Sequence, residues 1–145
     1  MNIDVGLSVR LGEAVGAKLG DCYRSAFLAL PMAGESAVYV EGYAILDLGE
    51  DSPWPLEHGW IEKEDGRVVD PTWSDGIGAE YFPALRFGHL ELLSILGRGG
   101  MLPVFAQNYP LPKAMLLASA SAWEFCGDLG ASEWFERIAK EVAGE

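Results

Sequence analysis

The sequence predicts an α+β domain, and three observations carry that prediction. The chain has 145 residues, the length of one ordinary domain. Apolar residues at helical spacing lie towards both ends, and runs rich in Val, Tyr and Ile lie between them. The middle also holds a hairpin signal, Glu64-Asp65-Gly66 between two extended arms. We therefore expect one domain over residues 1–145, with helices at both ends around central antiparallel strands.

Four glycines, Gly6, Gly12, Gly16 and Gly20, punctuate the N-terminal stretch. Leu11, Ala14, Val15 and Leu19 suit a weak helix there, which Gly12 and Gly16 would loosen. Asp21 is a good N-cap for a helix over Cys22 to Leu30, and Pro31 stops it. Ala37 to Leu46 is expected to be a strand. Asp47 to Glu57, with its prolines, aspartates and glycine, is expected to be a loop. The hairpin arms are Gly59-Trp60-Ile61-Glu62-Lys63 and Arg67-Val68-Val69-Asp70, with Gly66 in the left-handed position of a three-residue connection. Beyond Pro71 we expect irregular chain until about Leu85, then a helix to Leu96 on the spacing of Leu85, Leu92, Leu93 and Leu96. Gly97 to Gly100 breaks it, and Leu102 to Phe105 suits a short strand. Pro112, at a first helical position, opens a helix through Phe125. Ser132 is expected to cap a last helix whose Trp134, Phe135, Ile138 and Val142 face inward.

Composition narrows the chemistry. Ten Lys and Arg against 22 Asp and Glu leave a net charge of −12. Such a surface repels phosphate backbones, so nucleic acid is not an expected partner. It attracts cationic substrates such as Lys- or Arg-bearing peptides. No apolar run reaches the roughly 20 residues of a membrane span. The Met-Asn-Ile-Asp-Val start lacks a signal peptide's basic stretch and apolar core, so a cytoplasmic location is expected. Two cysteines and two histidines are too few for a disulfide scaffold and match no zinc motif, so neither a metal nor a cofactor is expected. Gly97-Arg98-Gly99-Gly100 lacks the Lys-Ser/Thr ending of a phosphate loop and reads as plain loop.

One cysteine stands out. Cys22 follows Gly20-Asp21 at the first turn of an expected helix. Helix N-termini carry partial positive charge and unpaired N–H groups, which favour a thiolate and can donate to an oxyanion. A thiolate nucleophile needs a base, and the base needs an orienter. The hairpin offers both. Pairing around its loop sets Trp60 opposite Asp70 and His58 opposite Thr72, making His58 and Asp70 diagonal neighbours on one face, roughly 7–8 Å apart at the backbone. A one-residue slip would break that geometry. Taken singly, Cys126 and His89 read as structural residues within apolar helices.

Four pieces occur in order: Gly20-Asp21-Cys22-Tyr23-Arg24-Ser25-Ala26-Phe27, Tyr39-Val40-Glu41-Gly42-Tyr43, His58-Gly59-Trp60-Ile61-Glu62 and Asp70-Pro71-Thr72-Trp73. Together they resemble the transglutaminase-like superfamily over about residues 18–74. Short bacterial and phage proteins carry similar pieces. The cysteine proteases that process lasso peptides are also similar, in a Cys-x-x-Arg helix start and a His-x-Trp strand, but the Asp-Pro-Thr-Trp end fits the transglutaminase-like set better. The resemblance implies a papain-like fold, with an N-terminal catalytic helix on an antiparallel sheet and helices at the C-terminus. It implies Cys22 as nucleophile, His58 as general base and acid, and Asp70 as orienter. Two features depart from the pattern. Pro31-Met32-Ala33-Gly34-Glu35-Ser36 replaces a longer helix and its turn, and Gly16 stands where papain-like enzymes often place a glutamine. The second oxyanion donor is thus unassigned among Asn108, Gln107, Tyr43 and Trp73. Trp60, Tyr43 and Trp73 are the expected substrate-binding or site-wall residues.

The expected reaction is acyl transfer at an amide or ester of a peptide or protein. Water as acceptor makes the chain a peptidase or amidase, an amine makes it a transglutaminase, and hydrolysis is favoured. The rival expectation is a non-enzymatic acidic binding or inhibitor protein that keeps the fold.

Overall fold

A computed structural model of the chain describes residues 2–46, 54–73, 79–107 and 111–144. The expected α+β architecture is present. Four antiparallel strands form a curled sheet in the order β3-β2-β1-β4, from β1 (Val38–Ile45), β2 (Leu56–Glu62), β3 (Val68–Val69) and β4 (Glu80–Phe87). The helices among the described residues are α1 (Val5–Val15), α2 (Cys22–Ala29), α3 (His89–Gly97), α4 (Lys113–Phe125) and α5 (Leu129–Val142).

The weak N-terminal helix forms. Asp4 caps α1 by accepting from the Leu7 N–H at 3.1 Å, and Gly16 ends it in the left-handed region at φ 64°. Ahead of it, residues 2–4 run beside β3, with bonds of 2.8 Å from Asp4 N to Val68 O and from Val68 N to Asn2 O. Gly12 presses α1 onto the segment after β3, where a Cβ would lie 2.6 Å from the Pro71 carbonyl oxygen.

Helix α2 ends as expected at Pro31, in a 3₁₀ turn over Leu30–Met32. Its inner face, Ala26 and Ala29 with Leu30 beyond, packs with Leu11 of α1 on Tyr39, Ile61 and Val69 of the sheet. The other face of the sheet buries Val40 and Ala44 with Trp60, Val68 and Tyr81. Sheet and helix approach closely at Gly59, where a Cβ would stand 2.6 Å from Tyr23 Cδ1. Gly59→Ala must push α2 off β2 and is expected to cost about 1–3 kcal/mol of stability. A lowered urea midpoint at unchanged slope, with slower alkylation of Cys22, checks this.

The hairpin takes the expected register. Ile61 faces Val69 and Glu62 faces Val68. Lys63 N bonds to Arg67 O at 2.9 Å, and Gly66 turns the chain at φ 86°. Strand β2 begins at Leu56, inside the expected loop. Residues 47–53 of that loop lie outside the described residues.

The sequence reading fails most after Pro71. Residues 80–87 are strand β4, not irregular chain, and the next helix begins at His89 rather than Leu85. That strand contains Pro83, a residue that cannot donate to a sheet ladder. The structure accommodates it at a bulge on the edge strand, where Glu41 pairs with Leu85 but Gly42 pairs with Pro83. The strand expected at Leu102 to Phe105 does not form; residues 102–103 are a bend and Val104–Gln107 a 3₁₀ turn. Its N–H groups go to a side chain, because Glu41, wholly buried in β1, accepts from Val104 N at 2.6 Å and Phe105 N at 2.8 Å. Tyr39 also donates its hydroxyl to Glu41, at 2.6 Å.

Helix α4 begins after Pro112, which is its N-cap residue, and packs with α5 and β4. Asp128, not Ser132, caps α5, accepting from Ala131 N at 2.9 Å. Ser132 lies buried within that helix. Phe135, Ile138 and Val142 are half-buried, whereas Trp134 faces outward at 48% exposure.

Candidate active site

Three elements bring the chemistry-bearing side chains together. Cys22 opens α2, His58 stands in β2 and Asp70 follows β3. Their exposures are 9%, 2% and 0%. His58 Nε2 lies 2.8 Å from Asp70 Oδ2, and Cys22 stands close enough to the imidazole to act on it by hydrogen bonding and by charge. With Nε2 committed to Asp70, the contact to Cys22 falls to Nδ1. The hairpin register is what sets His58 and Asp70 on one face, and Gly59 is what lets α2 bring Cys22 to them.

Asp70 is held from all sides. Its Oδ2 also accepts the Tyr81 hydroxyl at 2.7 Å, and its Oδ1 accepts the N–H groups of Thr72 at 3.1 Å and Trp73 at 3.2 Å. The last two bonds form the turn expected of Asp before Pro71. Its own N–H donates to Ser8 Oγ at 2.9 Å, and Ser8 donates to Asp4 O at 2.7 Å. Neither Ser8 nor Tyr81 was legible as a site residue. Both come from elements far along the chain, and no local pattern marks them.

Burial alone would lower the pKa of His58. The charge of Asp70, its hydrogen bond and the adjacent Cys22 outweigh that, so the imidazole is pushed up to about 9. Aromatic rings flank it. Trp73 stacks with its centroid 3.8 Å away and its plane tilted by 9°, and the Trp60 ring lies 6.0 Å off. An imidazolium against a π-face is favoured electrostatically.

Gly20, at φ 87°, turns the chain into α2. Asp21 occupies the N-cap position but makes no cap hydrogen bond. Its backbone, at ψ 36°, is not extended as a capping residue's is, and its carboxylate pairs instead with Arg24 at 3.4 Å. The first-turn N–H groups beside Cys22 therefore have no side-chain cap.

Cys22 and His58 line a cleft of about 660 Å³. Leu19, Leu46, Trp54, Pro55 and Leu56 give it apolar walls, and Tyr43, Glu57, Thr72 and Trp73 complete the lining. Of the residues expected to bind substrate, Tyr43 and Trp73 belong to this wall. Trp60 does not, because it is wholly buried behind His58 among Val40, Val68 and Tyr81. Of the expected oxyanion donors, Gln107 gives its amide to the Met101 carbonyl, and Asn108 lies outside the described residues.

The remaining candidates sit apart from this cleft. His89 is half-buried with its ring 6.3 Å from Phe27. Cys126 is a half-buried free thiol whose pKa burial raises. Among the described residues, no group of three or more His, Cys, Asp or Glu could hold a metal ion, and no helix is long and apolar enough to cross a membrane. Comparison with protein-family models, curated proteins and solved structures returns no match for the chain.

Proposed function

We propose that the chain is a cysteine-dependent acyl-transfer enzyme of papain-like, transglutaminase-like type, acting on an amide or ester of a peptide or protein. The observation that carries this reading is the grouping of Cys22, at a helix N-terminus, with His58 in the wall of one cleft, and of His58 with the buried Asp70 to which it is bonded. Asp70 keeps the imidazole oriented with Nδ1 towards the sulfur, and an imidazolium there is the counter-ion of a thiolate.

In the first half-reaction Cys22 Sγ attacks the carbonyl carbon and forms a C–S bond. The oxyanion meets the uncapped N–H of Cys22. His58 Nδ1–H gives its proton to the leaving amine or alkoxide as the old bond breaks, leaving a thioester on Cys22. In the second, His58 takes a proton from the acceptor, whose oxygen or nitrogen displaces sulfur. Water as acceptor gives hydrolysis, the outcome the resemblance favours; a primary amine gives transfer. A purely binding protein has no use for a buried histidine aimed at a cysteine.

Intact-mass and peptide mapping after incubation with host lysate tests the proposal. A thioester adduct confined to Cys22 and absent from Cys22→Ser is the expected result. A Cys22 that stays unmodified while Cys22→Ser behaves identically contradicts it.

A further inference from the structure

We propose that Glu57 selects a cationic residue, Lys or Arg, next to the carbonyl that Cys22 attacks. This rests on the acyl-transfer reading of the same cleft and names its substrate class.

Glu57 is the carboxylate among the described residues that line the cleft, and the rest of the wall is mostly apolar. It lies one residue before His58 on β2, directly across from Tyr43 of β1. Cross-strand partners of this kind share a face with Cβ atoms about 4.5–5.5 Å apart, and both line the cleft with Cys22. Glu57 forms no ion pair among the described residues. Glu57 is exposed at the start of β2, and its charge acts on the phenols of both Tyr23 and Tyr43, on the side of the sheet where Gly59 meets α2. Beside it, Leu19, Trp54 and Leu56 are 79%, 58% and 42% exposed. An apolar surface ending at an unpaired carboxylate and a tyrosine ring matches a side chain with a methylene stem and a positive head. Lys and Arg have that form. The net charge of −12 favours approach of such a peptide.

Affinity labels test this without knowledge of the natural substrate. Nα-acetyl-lysine and Nα-acetyl-norleucine chloromethyl ketones have similar stems and differ in the terminal charge. In each, Cys22 sulfur displaces chloride and forms a thioether, read by intact mass. Each rate is divided by that of iodoacetamide on the same variant, so changes in thiol reactivity itself cancel. The wild-type chain is expected to react roughly ten-fold faster with the lysine reagent, a preference that shrinks in high salt. Glu57→Gln is expected to equalise the two reagents, and Glu57→Lys to reverse the order. Equal rates on the wild-type chain, or a lysine preference that survives Glu57→Gln, overturn the assignment. The underlying reading fails separately: iodoacetamide then alkylates Cys22 as it does a free thiol, and His58→Ala changes nothing.

Discussion

Cys22→Ala is expected to abolish thioester formation and to lower turnover of any responsive substrate by about 10⁵- to 10⁶-fold. In the proposed reaction the sulfur is the atom that forms the bond, so no neighbour would substitute for it. Cys126, the other cysteine, closes α4 within a different cluster, next to Met115 and Phe82. The fold is expected to survive. Cys22 is a small residue at the start of a helix, and alanine suits that position, so the stability change should stay within roughly 1 kcal/mol. Thermal unfolding measured beside turnover separates the two effects. His58→Ala is expected to lose a comparable factor, because nucleophile and base act as a unit.

The second large effect is at Asp70. Asp70→Asn is expected to lower turnover by about 10⁴-fold with little change of shape. The carboxylate accepts from Nε2–H and leaves Nδ1 free to take a proton from Cys22. An asparagine amide in its place donates to Nε2, which moves the neutral imidazole's proton onto Nδ1, facing the sulfur. That tautomer cannot act as base.

The same substitution changes the titration of His58. Without the charge of Asp70, burial dominates, and the imidazole pKa is expected to fall from about 9 to below its ordinary value near 6.5. Imidazole resonances followed by NMR read this directly. The stability linkage has a definite sign. A histidine whose folded pKa is raised contributes stability that is full below about 6.5 and is lost as pH rises through its folded value. In a Cys22→Ala background no thiol titrates beside it. Unfolding free energy should then fall as pH rises above 6.5, with the fall ending below about 9 because the share due to Cys22 is gone. Adding Asp70→Asn should remove that fall.

The parts of this site that local chemistry specifies were readable in the sequence. Glu64-Asp65-Gly66 defines its own loop, and the loop fixes the register that sets His58 beside Asp70. Gly20-Asp21-Cys22 marks a helix start, although Asp21 turns its carboxylate to Arg24 instead of capping. Contacts closed by distant chain were not readable. Ser8 reaches Asp70 across 62 residues, and Tyr81 arrives on β4, where irregular chain was expected. Glu41 shows why the turn at Val104 was misjudged. A buried carboxylate supplied the acceptors that a strand partner would have given. Trp60 has the composition of a binding-site wall but lies wholly inside. Its role is to pack behind the histidine, which only the curl of the sheet decides.

The alkylation rate of Cys22 by iodoacetamide, followed from pH 5 to 10 in the wild-type chain and in His58→Ala, tests the central claim most directly. A nucleophile paired with the His58 imidazolium should react fast already at pH 6. That rate should be lost in His58→Ala, which should leave a thiol no more reactive at pH 6 than a small free thiol. A wild-type rate at pH 6 no faster than that of a small free thiol, and unchanged by His58→Ala, would contradict the claim.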